Sequence, residues 1–481
     1  MSRKYMSILL LSLLLPVSSV SSQTGGSMYV SDKLYQLQQE FLKLRFGMFI
    51  HFSMSTFQET EWADPQASPE EFSPTGVDCE QWARAAKSAG MTYGCLTTKH
   101  HDGFALWDSK VSTHDVANSS FKKDIVKMYA DAFRANGLKV CFYYSILDLH
   151  ENIKPRYITW QHVEIIKEQL KELLTNYGEI TAIVFDGWDA PWSRISYDDI
   201  PFDEIYLHIK SLQPNCLVMD MNAAKYPSNQ LYYSDIRQYE QRAGQRISAK
   251  TNSLPSQSSP TLQKAWFWKK SFPTDEMKSV DMVINKWLRP FNQGYCNLLL
   301  NIAPNRDGKI DQNALDRFKE IGEKNDFSEP LPLLPRPRRP IISKNLAKFM
   351  KYRTSSKEDS SGADMVNNDD WRGRSWISRA KDKTPWFEVI FEKPEAFNTI
   401  AFSEPLHYRN YKKNRIKSYK LQYNENSEWK DIIGGSRPQN VQMNRFYTVI
   451  AKKVRIFISE ADPEVGLSEF EVYLEPDIDL Q

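Results

Sequence analysis

The sequence predicts an α/β protein: a (β/α)8 barrel of the TIM type followed by a C-terminal β-sandwich. Three observations carry this prediction. Eight short apolar runs alternate with helical patterns over about 280 residues after Phe46. Five of the twelve residues from Glu329 to Pro340 are proline, which makes a semi-rigid linker. Beyond the linker, short strands separated by polar turns replace the helical patterns.

The barrel strands are expected where the apolar runs are continuous, because strands separated by helices pair in parallel and are buried on both faces. The predicted strands are Phe46–Ser53, Tyr93–Lys99, Lys139–Ser145, Thr181–Phe185, Cys216–Asp220, Leu231–Ile236, Ala265–Trp268 and Asn297–Ile302. Helices are expected at Asp124–Ala135 and along the apolar face from Val163 to Tyr177, where Gly178 ends the pattern. We expect Ser253–Gln263 to form a loop, because it is rich in Ser and Pro.

The domain boundaries follow from these patterns and from the N-terminus. We expect a signal peptide over residues 1–22, the barrel over 30–328, the linker over 329–340 and the sandwich over 341–476. Arg3 and Lys4 precede an apolar stretch and a run of small residues, which is typical of export to a periplasm or out of the cell. A retained signal anchor is the alternative. No later stretch is long enough to predict stable insertion into a membrane.

The charge and composition of the chain bear on which classes of partner it binds. Sixty-two Lys and Arg against 60 Asp and Glu leave a net charge of +2, so nothing in the overall charge predicts nucleic-acid binding. Aromatic residues make up 13% of the chain, which fits sugar handling as well as a large β-rich core. The five cysteines are widely spaced and odd in number, so we interpret them as buried filler rather than a disulfide framework.

Polar residues collect at the ends of the first four predicted strands, where the active sites of such barrels lie. They are His51, Glu61 and Trp62 after the first strand, His100 and His101 after the second, Tyr143 in the third and Asp186 in the fourth. One interpretation is a sugar site, in which neutral histidines and aromatic rings hold a sugar while two carboxylates cut its glycosidic bond. The other is a metal site of His51, His100, His101 and Asp186. The adjacent positions of His100 and His101 favour the sugar site, because neighbouring residues of a strand point apart.

The same residues stand in runs that resemble those of the family 29 glycoside hydrolases, the retaining α-L-fucosidases. The resemblance covers roughly residues 34–325 and rests on six runs: FGMFIHF from Phe46, Glu61-Trp62, TTKHHDGFALWD from Thr97, Tyr143-Tyr144-Ser145, Phe185-Asp186-Gly187 and NLLLNIAPNRDG from Asn297. The segment after the linker is similar to a discoidin (coagulation factor 5/8 type C) module, through residues 363–376, 385–389 and 467–473.

The resemblance implies roles for these residues. Asp186 corresponds to the nucleophile, and His51, Glu61, His100, His101 and Tyr143 correspond to fucose-binding residues; we expect Trp62 and Arg237 to contact the substrate as well. Relatives often carry Trp two residues before the nucleophile, where this chain has Val184, so Trp188 or Trp268 is expected to supply the stacking wall. The acid/base varies in position within the family. Glu240 is our choice over Asp189, Asp220 and Asp235, because it lies after a strand and is the only glutamate between Leu231 and Ala265.

The expected function is that of an exported, exo-acting, retaining α-L-fucosidase that releases terminal fucose from an oligosaccharide or glycoconjugate without a metal or organic cofactor. Residues Phe52–Phe57 resemble the branch of the family that prefers α-1,3/1,4 linkages. Two alternatives come from other classes: a protein that binds fucosylated glycans without cutting them, and a metal-dependent barrel hydrolase. The oligomeric state is left open by the sequence.

Overall fold

The computed structural model describes residues 28–227, 229–359, 361–369, 374–405 and 414–476. The expected signal peptide lies outside these residues. Within them the chain forms a parallel β-barrel surrounded by helices and then an antiparallel β-module, which confirms the predicted fold class. No helix in these ranges is long and apolar enough to cross a membrane.

Eight parallel strands make the barrel, in the order β5-β4-β3-β2-β1-β8-β7-β6. Their bounds are β1 Phe46–Ile50, β2 Tyr93–Lys99, β3 Lys139–Ser145, β4 Ala182–Asp186, β5 Leu217–Asp220, β6 Arg237–Glu240, β7 Ser256–Ser259 and β8 Cys296–Ile302. The first four strands and β8 lie where the sequence predicts them, to within a few residues.

The helices pack around this sheet, and the first four begin at residues whose side chains cap them. Their bounds are α1 Asp32–Lys43, α2 Met54–Gln58, α3 Cys79–Ser88, α4 Ile125–Ala135, α5 Trp160–Asn176, α6 Phe202–Leu212, α7 Arg289–Gln293 and α8 Gln312–Lys324. The carboxylates of Asp78 and Asp124 accept hydrogen bonds from the first turns of α3 and α4, as N-caps do. Helix α1 closes the N-terminal end of the barrel, where Gln38 donates to the Asp235 carbonyl at 2.8 Å.

Two predicted strands are wrong. The sixth strand is Arg237–Glu240 rather than Leu231–Ile236, and the seventh is Ser256–Ser259 rather than Ala265–Trp268. Both strands carry polar side chains, which are tolerated inside the barrel because they form hydrogen bonds to one another. Gln257 donates to the Gln238 side chain at 2.8 Å and accepts from the Tyr93 hydroxyl at 2.6 Å. A Ser/Gln strand therefore satisfies its polar groups without solvent, which an apolar-run criterion misses.

The barrel has one seam, between β5 and β6, which are not hydrogen-bonded neighbours in the sheet. Asp235 bridges it. Its backbone N–H donates to the Val218 carbonyl at 2.7 Å, and its carboxylate accepts from the Val218 N–H at 3.0 Å. The same carboxylate accepts from the Tyr206 hydroxyl and the Lys210 ammonium, both at 2.8 Å. A fully buried aspartate thus takes the place of ladder hydrogen bonds.

The five cysteines are buried and free. Cys95 and Cys141 belong to the apolar cluster inside the barrel, together with Tyr93 and Val184. Burial raises the pKa of the Cys95 and Cys141 thiols. These side chains act as small apolar filler, as the sequence predicts.

The C-terminal module is built on a bent antiparallel sheet. Its strands are β9 Lys351–Thr354, β10 Trp376–Ile377, β11 Trp386–Ser403, β12 Ile416–Glu425, β13 Glu428–Ser436, β14 Gln442–Ala461, β15 Gly466–Leu467 and β16 Glu469–Tyr473. The β11–β14 pairing shifts register between Ile390 and Glu395, and such irregularities bend a sheet. The long strand β11 therefore runs from Trp386 to Ser403 across this bend.

The C-terminal module is hydrogen-bonded to the barrel domain just before β6. The Ile341 N–H donates to the Leu231 carbonyl at 2.9 Å, and the Ile341 carbonyl accepts from the Tyr233 N–H at 2.8 Å. The Tyr232 hydroxyl donates to the Glu471 carboxylate at 3.0 Å. The C-terminal module thus rests on the segment that leads into β6.

Candidate active site

A cavity of about 270 Å³ opens at the C-terminal ends of the barrel strands. Its wall combines carboxylates, imidazoles and aromatic rings, and is formed by His51, Glu61, Trp62, His100, His101, Tyr143, Asp186, Trp192, Met221, Glu240 and Trp266. Eight of the eleven residues that the sequence predicts as site residues lie together there. The remaining three, Trp188, Arg237 and Trp268, do not line it.

Asp186 ends β4 and points its carboxylate into the cavity. Its Oδ2 accepts from the Tyr143 hydroxyl at 2.7 Å, and its Oδ1 accepts from the Gly187 N–H at 2.7 Å. Burial raises the pKa of Asp186 to about 6, although the hydrogen bonds from Tyr143 and Gly187 oppose this rise. The carboxylate is therefore held in one orientation and is ionised near neutral pH.

Glu240 ends β6 on another part of the same wall. Its carboxyl makes no hydrogen bond with any residue that the structure describes. Burial raises the pKa of Glu240 to about 8, the negative charge of Asp186 adds to the rise, and Arg242 opposes it. Two carboxyl groups of one cavity thus favour opposite protonation states, and Glu240 is the one that keeps its proton.

The three aspartates weighed against Glu240 serve other purposes. Asp189 pairs with Lys225 and accepts from the Tyr226 hydroxyl. Asp220 is fully buried and accepts from the Tyr197 hydroxyl, and Asp235 bridges the barrel seam. None of them lines the cavity.

The three histidines of the wall are buried and neutral. Burial lowers the pKa of His100 to about 3 and holds the pKa values of His51 and His101 well below the usual range. Within the described part of the chain, the buried Nδ1 atom of His100 has no hydrogen-bond partner. Among the residues described, no group of three or more His, Cys, Asp or Glu side chains is placed to hold a metal ion.

Aromatic rings form the rest of the wall. The Trp266 ring stacks on His51 with centroids 4.9 Å apart, and its backbone N–H donates to Glu61 at 3.2 Å. Trp62 and Trp192 meet edge to face at 5.1 Å and are 42% and 41% exposed, which places them at the mouth. The sequence reasoning missed Trp192, Trp266 and Met221, whose only signal is their position in loops after β4, β7 and β5.

Trp188, Trp268 and Arg237, which the sequence predicts as substrate contacts, do not line the cavity. The Trp188 ring is fully buried, and its N–H donates to the Ile200 carbonyl at 3.2 Å. Trp268 donates to Asp311 at 2.7 Å, outside the cavity.

Arg237 turns away at the other end of β6. It donates to the backbone carbonyls of Tyr226 and Gln230 and is 1% exposed. Val184 packs inside the barrel, and the tryptophans of the cavity wall stand on loops.

The run from Asn297 to Gly308 holds these walls in place. Asn301 donates to the Trp266 carbonyl at 2.9 Å. Arg306 donates to the Phe57 carbonyl and pairs with Glu59 at 2.9 Å, which fixes the loop that carries Glu61. This run therefore acts by positioning rather than by direct contact with the cavity.

Comparison with known proteins finds a matching family for each of the two domains. The family model of alpha-L-fucosidase matches residues 58–324, and the F5/8 type C domain model matches residues 351–470. Alpha-L-fucosidase 1 of Arabidopsis thaliana is 25% identical over 465 residues, which span 89% of this chain and 85% of the relative. Tissue alpha-L-fucosidase of Mus musculus is 26% identical over 265 residues, or 51% of this chain and 54% of the relative.

Solved structures give the same result. Alpha-L-fucosidase isoenzyme 1 from Paenibacillus thiaminolyticus matches with a TM-score of 0.52 and 25% identity, over 89% of this chain and all of that one. A glycoside hydrolase 29 family member from an unknown rumen bacterium matches with a TM-score of 0.52 and 24% identity, over 95% and 79% of the two chains. With its two unlike carboxyl groups in a cavity of neutral imidazoles and tryptophans, this chain belongs to the alpha-L-fucosidase family, glycoside hydrolase family 29.

Proposed function

We propose that the protein is an exo-acting, retaining α-L-fucosidase in which Asp186 is the nucleophile and Glu240 is the acid/base. The observation that carries this proposal is the contrast between the two carboxyl groups of the cavity. Asp186 is fixed by two hydrogen-bond donors, whereas the Glu240 carboxyl has no hydrogen-bond partner among the described residues and has the higher pKa. A retaining glycosidase needs one ionised and one protonated carboxyl group, and this pair has that character.

The reaction has two displacements. In the first, Asp186 attacks the anomeric carbon while Glu240 protonates the departing oxygen, so a β-linked fucosyl-enzyme forms from the α-linked substrate. In the second, Glu240 removes a proton from water, which attacks the same carbon and releases fucose with its original configuration. Glu240 donates a proton in the first step and accepts one in the second, and a pKa near the working pH favours both transfers.

The remaining wall fits a single sugar ring. A cavity of about 270 Å³ is smaller than the about 300–1,000 Å³ that drug-sized ligands fill, which suits a terminal monosaccharide. His51, His100, Glu61 and Tyr143 offer polar atoms for its hydroxyls, and the apolar face of Trp266 offers a surface for its methyl group. Neutral imidazoles bind hydroxyls without placing a positive charge beside the nucleophile.

We further propose a preference for α-1,3/1,4-linked fucose. This proposal rests on the resemblance of Phe52–Phe57 to one branch of the family. In the structure Phe52 packs on Phe72 and Trp82 in the core, so the stretch acts through the loop that it anchors rather than by touching sugar. Export from the cytoplasm is likewise proposed, on the pattern of residues 1–22.

The test is hydrolysis of an aryl α-L-fucoside beside a Lewis-type trisaccharide and an α-1,2-linked fucoside, with the first-formed anomer read by proton NMR. We expect α-fucose as the first product and faster release from the trisaccharide than from the α-1,2 substrate. β-Fucose as the first product would exclude the retaining mechanism. Equal rates on the two oligosaccharides would exclude the linkage preference and leave the mechanism standing.

A further inference from the structure

Ser145, the last residue of β3, contacts one of the cavity histidines from below. It pairs in register with Asp186 of β4 and is fully buried. Its Oγ lies 2.6 Å from the Leu147 carbonyl oxygen and 2.7 Å from Nδ1 of His101. A hydroxyl has one hydrogen, and a carbonyl oxygen only accepts, so that hydrogen lies between Ser145 and Leu147. The bond to the imidazole must then be donated by the Nδ1–H of His101.

The protonation of Nδ1 determines what His101 presents to the cavity. Burial lowers the pKa of His101, and His100, His51 and Lys99 lower it further, so the ring is neutral. A neutral imidazole carries one hydrogen, and here Nδ1 holds it. The Nε2 atom therefore exposes a lone pair. It lies 3.7 Å from Oδ2 of Asp186, which is too long for a hydrogen bond and fits two acceptors that face each other.

We propose that Ser145 is a positioning residue that locks His101 in its Nδ1–H form and so places a hydrogen-bond acceptor beside the nucleophile. The inference rests on the proposed role of Asp186. In this form Nε2 accepts a hydrogen bond from a fucose hydroxyl. Among the described residues, Asp186 receives hydrogen bonds only from the neutral Tyr143 and Gly187 donors, so no imidazole N–H donates to its carboxylate.

The opposite tautomer would act on both groups. With its hydrogen on Nε2, His101 would donate to Asp186 and stabilise the carboxylate charge. The nucleophile would then be less reactive, and its pKa would fall. The acceptor for the sugar hydroxyl would be lost at the same time, so ground-state binding would weaken as well as the chemical step.

The first test needs no substrate and no change to the site. We would record nitrogen-15 NMR of histidine-labelled full-length protein at pH 7, with His101 assigned from the signal lost in His101→Gln. The expected pattern is a protonated Nδ1 and a bare Nε2. A protonated Nε2, alone or in an imidazolium, would overturn the proposal. Because this readout is independent of turnover, it remains valid even if Asp186 proves not to be the nucleophile.

The second test removes the Ser145 hydroxyl. For Ser145→Ala we expect kcat/KM on an aryl α-L-fucoside to fall about 10-fold, the equivalent of one lost hydrogen bond to a reacting group. We also expect the acidic limb of its pH profile to move to lower pH, because an Nε2–H next to Asp186 favours the ionised carboxylate. Ser145→Thr, which keeps the hydroxyl, should restore the wild-type limb.

The matched control is Ser119→Ala. Ser119 is also buried, donates to a backbone carbonyl (Val116, 2.7 Å) and accepts from an N–H (Phe121, 3.1 Å), but it lies outside the cavity. Ser119→Ala should lose about as much stability as Ser145→Ala, because each variant loses one buried hydroxyl. Its pH profile should stay at the wild-type position. A Ser145→Ala enzyme within twofold of wild type, with an unmoved acidic limb, would overturn the proposal. If Ser145→Ala does not fold, Ser145→Cys, whose thiol accepts weakly, is judged by the same limb.

Discussion

The two halves of the barrel are built differently. Strands β1–β4 are apolar and buried, and an α-helix lies in each interval between them. They supply the three histidines, Tyr143 and Asp186. Strands β5–β7 have four residues each, and no α-helix of the described chain lies between β5 and β6 or between β6 and β7. Their half supplies Glu240, Met221 and Trp266.

This difference matches the chemistry of the two carboxyl groups. The regular half, β1–β4, gives Asp186 two short hydrogen bonds, which orient the carboxylate and keep it ionised. In the irregular half, β5–β7, the Glu240 carboxyl has no hydrogen bond to any residue that the structure describes, so burial and the charge of Asp186 dominate its pKa. A barrel with two unlike halves can thus hold a nucleophile and a proton donor within one cavity.

The largest expected effect is the loss of turnover when Asp186, in the regular half, is replaced. Asp186→Asn should lower kcat on an aryl α-L-fucoside on the order of 10³-fold or more, because the amide cannot form the covalent intermediate. In the smaller variant Asp186→Ala, added azide should attack the substrate directly and yield β-fucosyl azide, identified by NMR. Circular dichroism should show an unchanged fold.

Asp189→Asn is the control for this change, because Asp189 is three residues along the same loop and outside the cavity. We expect its kcat to stay close to that of the wild type. Near-normal turnover in Asp186→Asn would remove Asp186 as the nucleophile.

The next effect is on the seam where the two halves meet. Asp235→Ala should lower the free energy of unfolding by about 3–5 kcal/mol, because it leaves Lys210 without its buried partner and removes the bridge to Val218. Urea denaturation measures this loss. Asp131→Ala, which breaks the exposed pair with Lys127, should cost less than about 1 kcal/mol. Equal losses in the two variants would mean that Asp235 does not hold the seam.

The strands of the regular half could be predicted from the sequence because each of them is a continuous apolar run. Tyr93–Lys99 and Lys139–Ser145 agree with the structure at both ends, and Asp186 lies at the end of a strand, as expected. The polar strands of the other half carry no such signal. Gln238 and Gln257 look like loop residues until their mutual hydrogen bonds inside the barrel are known.

The absence of a sequence signal in this half also explains which residues of the cavity wall could be predicted and which could not. Glu240 could be selected because few carboxyl groups follow β5, and the structure places it in the cavity. Trp266 and Trp268 could not be distinguished from the sequence, because their region is not a strand and alternation does not apply. Which of the two rings faces the cavity depends on Asn301 and Asp311, which lie far along the chain.

A smaller effect is expected when the proton donor of the irregular half is removed. Glu240→Ala should lower kcat/KM on the order of 10²-fold for the trisaccharide but much less for an activated aryl fucoside, which leaves without protonation. Azide should rescue part of the activity and give α-fucosyl azide, because it attacks the fucosyl-enzyme after the first displacement.

The pH profile gives an independent readout of this variant. Wild-type kcat/KM should fall below pH about 6, where Asp186 gains a proton, and above pH about 8, where Glu240 loses its proton. In Glu240→Ala the alkaline limb should disappear on the aryl fucoside. Equal losses on both substrates, with the alkaline limb intact, would assign the proton donor to another group.

The smallest expected effect separates the mouth of the cavity from its interior. Trp192 is 41% exposed and stands beside Trp62 and His101, whereas Trp266 lies inside against His51. Trp192→Ala should raise KM for the trisaccharide about fivefold, the equivalent of about 1 kcal/mol of stacking, and leave α-L-fucosyl fluoride unaffected because that substrate has no second sugar. Trp266→Ala should impair both substrates, and Trp160→Ala, an exposed tryptophan on α5, should impair neither. If Trp192→Ala weakens the fluoride as much as the trisaccharide, Trp192 contacts the fucose itself, and the leaving sugar must rest on the irregular half of the barrel.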